Sequence, residues 1–413
     1  MLTVTVPNDT LAQALRSHIA AHGGQSLNIL SWNLMGPPGA DVVADANLVV
    51  VGHYWEGRQD YTFLSQLKQL KAVQIPSAGF EHALPYIPAG VALANGRGVH
   101  SAETAELAVG LILAMQRGIA AARDDQHRHY WLPTSKTHSY ESLADRRVLI
   151  VGAGSVAKAL AARLAPFEVS LTFVARSARP DPDLAALAAD PLLARFETLT
   201  DPEAPASRVD ANIHAITELT SLLPQADIVV LTVPADASTE HLIGAPELAA
   251  MRDGALLVNV ARGPVVDTDA LFAALRSGRI RAALDVTEPE PLPADHPLWD
   301  APNVLITPHV GGNTRAGYSR YNQLVTRQVV HLLSGEPLEN LVREPAVVST
   351  GSTTQSSAVA STGSTTQSPA VVSTGSTTQS SAVASTVSTT QSPAVASTGS
   401  TSSTTEAAGT ASA

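Results

Sequence analysis

The stretch VLIVGAGSVAKALAARL, residues 148–164, decides the fold. An apolar run ending at Val151 reads as a buried strand, and alanines and leucines at helical spacing follow a glycine turn. Gly152 permits the tight turn, Gly154 lets a pyrophosphate approach the backbone, and Ala157 is an allowed third member of the trio. Ser155 and Val156 open the helix, whose first N–H groups face the same anion. A glycine trio also occurs in purely structural strand-to-helix turns, so its surroundings carry the argument.

About twenty residues further on, where a chain that grips NAD usually places an acid, LTFVARSARP (residues 171–180) has Arg176, Ser177 and Arg179. An acid would accept from the adenosine ribose, whereas an arginine pairs with a 2′-phosphate. The expected cofactor is therefore NADP in preference to NAD. The plainer alternative leaves both arginines in a solvated loop.

Outward from this unit, short apolar runs alternate with helical stretches: LTVTV, ANLVVVG, LKAVQIP, VSLTFVA, DIVVLTVP, ALLVNVA, AALDV and NVLITPH. Strands separated by helices predict α/β architecture with parallel sheets. SAETAELAVGLILAMQRGIAAARDDQ, residues 101–126, reads as one long helix begun by a Ser/Glu capping sequence, and residues 313–335 as a second at the far junction. The pattern predicts a Rossmann-type doubly wound cofactor domain, residues 98–312, inserted into a smaller flavodoxin-like α/β substrate domain. That second domain is formed by residues 1–97 and 313–345, with the substrate in the cleft between them.

With 37 Asp and Glu against 26 Lys and Arg, a broad nucleic-acid footprint is not expected. The absence of cysteine removes disulfides, thiolate metal sites and cysteine nucleophiles, and no metal site is expected. MLTVTVPNDT lacks the pattern of a secretory signal, and LAVGLILAM is far short of the about 20 residues that span a bilayer, so a soluble cytoplasmic protein is expected. From Ala346 a twelve-residue unit such as AVVSTGSTTQSS recurs, with neither aromatics, Leu nor Ile. It is expected to be a disordered tail over residues 346–413, a β-solenoid being the rival.

Three further segments are too specific for scaffolding: LLVNVARGPVVDTDAL, AALDVTEPEPLPADHPLW and NVLITPHVGGNT. With GAGSVA and the strand order, they make residues 1–345 resemble the D-isomer-specific 2-hydroxyacid dehydrogenases. The resemblance implies that Arg262 binds the substrate carboxylate and polarises the carbonyl, that His309 exchanges the proton, and that Glu290 pairs with His309. It gives Asp285 to the nicotinamide carboxamide and places Ala261 beside the cofactor. PSAGFEHAL looks like the loop whose backbone meets the substrate carboxylate, through Ala78 and Gly79. TVPADASTEHLIG looks like the loop beside the adenosine, with Val233 and Pro234, and Thr104 lies near the cofactor. The chemistry agrees: hydride delivery to a keto acid makes an alkoxide that needs a proton, which suits histidine, and a guanidinium fork matches a carboxylate.

The implied activity is reduction of a small 2-keto acid of the glyoxylate or hydroxypyruvate type to its D-2-hydroxy acid, by a homodimer with no nucleic-acid or membrane partner. Formate dehydrogenases share the resemblance but carry Gln where this chain has Glu290. A non-enzymatic, corepressor-like dinucleotide sensor would carry an acid where this chain has Arg176. One departure from the family is the long stretch between Arg179 and His214, read as either a lid or an inert loop.

Overall fold

A computed structural model describes residues 1–21, 26–53, 56–133, 140–191 and 209–344. The repeat tail, and with it the expectation of disorder, lies outside the described residues.

The first sheet grows from β1 (Leu2–Val6), whose residues beyond the first are all buried. Helix α1 (Asp9–Ala21) crosses to β2 (Leu27–Ser31), and α2 (Ala40–Asp45) leads to β3 (Leu48–Val50). Two short strands, β4 (Ala72–Gln74) and β5 (Ala92–Ala94), extend the sheet. All five run parallel.

Next come α3 (Ser101–Gln116) and α4 (Ile119–His127), then β6 (Arg147–Val151) and α5 (Ser155–Leu164), the strand and helix of the glycine turn. Continuing along the chain are β7 (Ser170–Ala175), β8 (Arg179–Pro180), α6 (Pro182–Ala188), β9 (Val209–Ala215) and α7 (Leu219–Leu222). The second sheet is completed by β10 (Ile228–Leu231), α8 (Ala245–Ala250), β11 (Leu256–Asn259), α9 (Thr268–Arg276), β12 (Arg281–Leu284) and β13 (Val304–Ile306). Its order is β13-β12-β11-β10-β6-β7-β9-β8, parallel except for β8. Strand order reverses between β6 and β10, so the glycine turn sits at the crevice where doubly wound sheets bind ligands. Burial is near complete on β6, β10 and β11, each Val or Leu contributing roughly 1.5–3 kcal/mol.

Helix α10 (Arg315–Ser334) leads to β14 (Leu341–Arg343), which pairs antiparallel with β5 and gives the first sheet the order β14-β5-β4-β3-β1-β2. Both ends of the folded chain therefore build one sheet. Tyr321 of α10 fastens the helix to it, donating from its hydroxyl to the Val51 carbonyl at 2.7 Å.

Several expectations need correction. The single helix over residues 101–126 is two, bent by 66° at Gly118, which sits in the left-handed region at φ 60°. No single helix among the described residues is long and apolar enough to cross a membrane. No side chain caps α3; Ser101 instead donates to the Ser155 hydroxyl at 2.8 Å, and Glu103 is buried against Arg320. The stretch after Arg179 is not simply a lid or a loop: its described parts form β8, α6 and β9, while residues 192–208 lie outside the described residues.

Candidate active site

Three neighbouring strands, β11, β12 and β13, deliver Arg262, Asp285 and His309 at their carboxyl ends. His309 follows β13 with φ 52°, a left-handed conformation that a non-glycine residue adopts only when its surroundings hold it. Asp285, only 3% exposed, supplies that hold. Its Oδ1 accepts from the Thr307 hydroxyl at 2.6 Å and the Val310 N–H at 2.9 Å, its Oδ2 accepts from the Gly311 N–H at 2.9 Å, and its carbonyl accepts from the His309 N–H at 2.8 Å. Asp285 is thus a clamp on the histidine loop, a task its sequence position does not reveal. One Oδ2 lone pair remains beyond these bonds, so the carboxamide role implied by the resemblance is compatible with the clamp.

Glu290, in the loop after β12, is hydrogen-bonded through Oε1 to His309 Nδ1. Both side chains are about one-third exposed, so solvent reaches the pair. The bond selects Nε2 as the ring nitrogen facing the opposite direction.

Arg262 follows β11 in a turn braced by buried Asn259, which accepts from the Ala261 N–H and donates to the Arg262 carbonyl, both at 3.0 Å. The guanidinium donates through Nη1 to the Ala261 carbonyl at 2.7 Å. Its other arm lies on the first sheet's loop: a Cβ placed on Gly79 would stand 2.1 Å from Arg262 Nη2. That loop is fixed by Asn95, which donates to the Ala78 carbonyl at 2.6 Å, and by Ser77, which donates to the Gly79 carbonyl at 2.6 Å. Ala78, Gly79 and Arg262 are therefore brought together from two sheets, with Glu81 and His82 on the rim. Burial lowers the His82 pKa, nearby Glu81 raises it and Arg262 lowers it further, while the ring nitrogen Nε2 lies 3.3 Å from the Tyr61 hydroxyl. Sequence reasoning missed Asn259 and Ser77, which brace their own turns two or three residues away, and Asn95 and His82, which act through contacts with more distant segments.

At the dinucleotide turn, Gly152 has φ 121° and a Cβ there would lie 2.3 Å from Thr232 Oγ1. A Cβ on Gly154 would meet nothing within 4 Å. Gly154 is also the N-cap of α5 and offers no side-chain cap. Open space above uncapped helical N–H groups is what a pyrophosphate requires, so the chain fits a dinucleotide here. Ala157 is buried against the sheet and Val156 is half-buried. Val233 and Pro234 follow β10 on one side of the turn, Arg176 and Ser177 follow β7 on the other. Thr104, in the first turn of α3, lies across from Gly311. Arg176 is 82% exposed and approaches Asp236 at 3.7 Å, while Arg179 donates to the Ser177 carbonyl at 3.2 Å. Among the described residues no group of three or more His, Asp or Glu is placed to hold a metal.

The model of the family described as D-isomer specific 2-hydroxyacid dehydrogenase, NAD binding domain, matches residues 109–200 and 197–311. A glyoxylate reductase of Thermofilum pendens is 35% identical over 292 residues, which cover 69% of this chain and 78% of that protein. The chain belongs to the D-isomer-specific 2-hydroxyacid dehydrogenases. The dehydrogenase is likewise 31% identical over 307 residues to glyoxylate/hydroxypyruvate reductase B of Yersinia pestis, covering 71% of this chain and 83% of that one. A D-isomer specific 2-hydroxyacid dehydrogenase of Xanthobacter autotrophicus, solved in complex with NADPH and MES, superposes with a TM-score of 0.60 at 26% identity, covering 83% of this chain and 98% of that one. The dehydrogenase is an oxidoreductase that uses a nicotinamide dinucleotide.

Proposed function

We propose that this dehydrogenase reduces a small 2-keto acid of the glyoxylate or hydroxypyruvate type to the D-2-hydroxy acid, with NADPH preferred over NADH. The observation that carries the reading is the meeting of Arg262 with the Gly79 loop at the strand ends that also present the His309–Glu290 pair. Arg262 and the N–H groups of Ala78 and Gly79 receive the substrate carboxylate. Fork geometry and charge fix its orientation and leave the keto carbonyl toward His309. When bound, the nicotinamide supplies a hydride to the substrate's C2. His309 Nε2 gives its proton to the carbonyl oxygen, and Glu290, hydrogen-bonded at Nδ1, stabilises the imidazolium from which that proton leaves. In the reverse direction the same nitrogen removes the hydroxyl proton. Ser155, Val156 and the Gly152–Gly154 turn hold the pyrophosphate, and Arg176, Ser177 and Arg179 hold the 2′-phosphate. Residues 98–312 serve as the cofactor domain, and residues 1–97 with 313–345 as the substrate domain. The names of the reductases and the NADPH complex above support this assignment. The active species is a homodimer, joined through the α3–α4 region.

The test is turnover of glyoxylate, hydroxypyruvate, pyruvate and phenylpyruvate with each coenzyme, with formate oxidation as the rival activity. His309→Ala and Arg262→Ala are each expected to depress keto-acid reduction by about a hundredfold or more. Near-normal turnover in a variant of unchanged circular dichroism would remove that residue from the mechanism. Formate oxidation exceeding every reduction would overturn the substrate class.

A further inference from the structure

We propose that Asp236 is a specificity-determining residue for the coenzyme: as counter-ion to Arg176, it sets how strongly a 2′-phosphate is preferred over a 2′-hydroxyl. The inference rests on the reading of Arg176 as part of the adenosine site. In the second sheet β10, β6 and β7 are adjacent. Asp236 follows the first of these and Arg176 the last, so their 3.7 Å approach spans the glycine turn that follows β6. The carboxylate is held there by its own loop. Oδ1 accepts from the N–H of Ser238 at 2.8 Å and from its hydroxyl, the Asp236 N–H donates to Thr239 Oγ1 at 2.9 Å, and that hydroxyl donates to the Pro234 carbonyl at 2.7 Å. Oδ2 is left facing Arg176. The Ser238 bonds, with a smaller contribution from Arg176, hold the carboxyl below its ordinary range, so it is charged at neutral pH.

A phosphate on the ribose must share the Arg176 guanidinium with this fixed carboxylate and tolerate a like charge beside it. A ribose hydroxyl brings no charge and can donate to the same oxygen. Asp236 therefore opposes the preference that Arg176, Ser177 and Arg179 create.

Dissociation constants for NADPH and NADH, measured by calorimetry on wild type, D236N, R176Q and the double variant, test this. Asn keeps an Oδ1 acceptor for Ser238 and removes only the charge. D236N is expected to tighten NADPH about fivefold, the scale of one partly exposed charge interaction, and to leave NADH unchanged or weaker. The gain should shrink at about 0.5 M salt, and in the R176Q background it should largely vanish. An unchanged NADPH-to-NADH ratio in D236N, with the fold confirmed by circular dichroism, overturns the inference while leaving the cofactor assignment in place. A protein that binds NADH alone, in wild type and D236N alike, removes the 2′-phosphate reading itself.

Discussion

Two glycines near Arg262 separate the substrate-binding role proposed above from a structural one. A Cβ on Gly79 would meet only movable side-chain ends, Arg262 Nη2 at 2.1 Å and Glu81 Oε2 at 2.9 Å. A Cβ on Gly263 would meet the Thr287 carbonyl oxygen at 1.9 Å and its carbon at 2.3 Å, backbone that cannot yield without moving the loop toward Glu290. Gly79→Ala is therefore expected to raise KM for the keto acid about tenfold by displacing the arginine, with a thermal midpoint within about 2 °C of wild type. Gly263→Ala should lower the midpoint steeply or abolish folding, on the scale of about 3 kcal/mol or more for overpacked backbone. Equal stability loss in both would show that Gly79 is structural. Arg262, Glu290 and His309 were picked out in the sequence by the motifs that carry the family resemblance, and the structure pairs Glu290 with His309. The contact of Arg262 with Gly79 was not legible there, because it joins two sheets. Nor was the service of Asp285 to the histidine loop, since a carboxylate's partners are set by backbone N–H groups that carry no sequence signature.

Elements were legible where burial is two-sided. The apolar runs of β6, β10 and β11 stand out because both faces are covered. Missed by the same reading, β2 has no fully buried residue, and β9, VDANIHA, buries only Val209 and Ile213 beside the short edge strand β8. Strands β5 and β14 have three residues each, too few for a periodicity. The α3–α4 break was hidden because the apolar pattern runs through Gly118, whose φ of 60° is a backbone property. A Cβ there would lie 2.3 Å from Tyr140 Cε1, so the bend is locked by packing. Beyond it Ile119, Tyr130, Trp131 and Tyr140 face outward, Trp131 being 91% exposed. Exposed apolar groups of this kind mark a contact surface, and the homodimer proposed above would use this region. Light scattering should give a dimer for wild type and a monomer for a Tyr130→Glu, Trp131→Glu variant. A monomeric wild type, or a dimer that survives the substitutions, would move the contact elsewhere.

Across the described residues, chain crossings connect the sheets at the starts of α3 and α10, and they meet around the buried His53 and the half-buried His100. His53, 2% exposed, lies just after β3, with its ring centroid 4.6 Å from that of Tyr318, 5.1 Å from Tyr321 and 5.4 Å from His100. Glu103 of α3 and Arg320 of α10 pair beside them. Burial, and after it the charge of His100, lowers the His53 pKa from 6.5 to about 4. His100 is lowered as well, by burial first, with Glu103 raising it and Arg320 lowering it further. In the unfolded chain both histidines take up a proton near their ordinary value. Between that value and about 4 the unfolded state therefore binds more protons than the folded one, and stability must fall as pH falls through this window. Carboxylates held below their ordinary range, such as Asp227 and Glu339, withdraw their contributions mainly at lower pH, so the histidine effect is read above them. The thermal midpoint is expected to decline steadily from about pH 7 to pH 4.5. His53→Gln should flatten that decline, because an amide in the same place does not titrate. A midpoint that falls with the same slope in wild type and His53→Gln would mean that the crossing is indifferent to protonation and that acid sensitivity arises elsewhere.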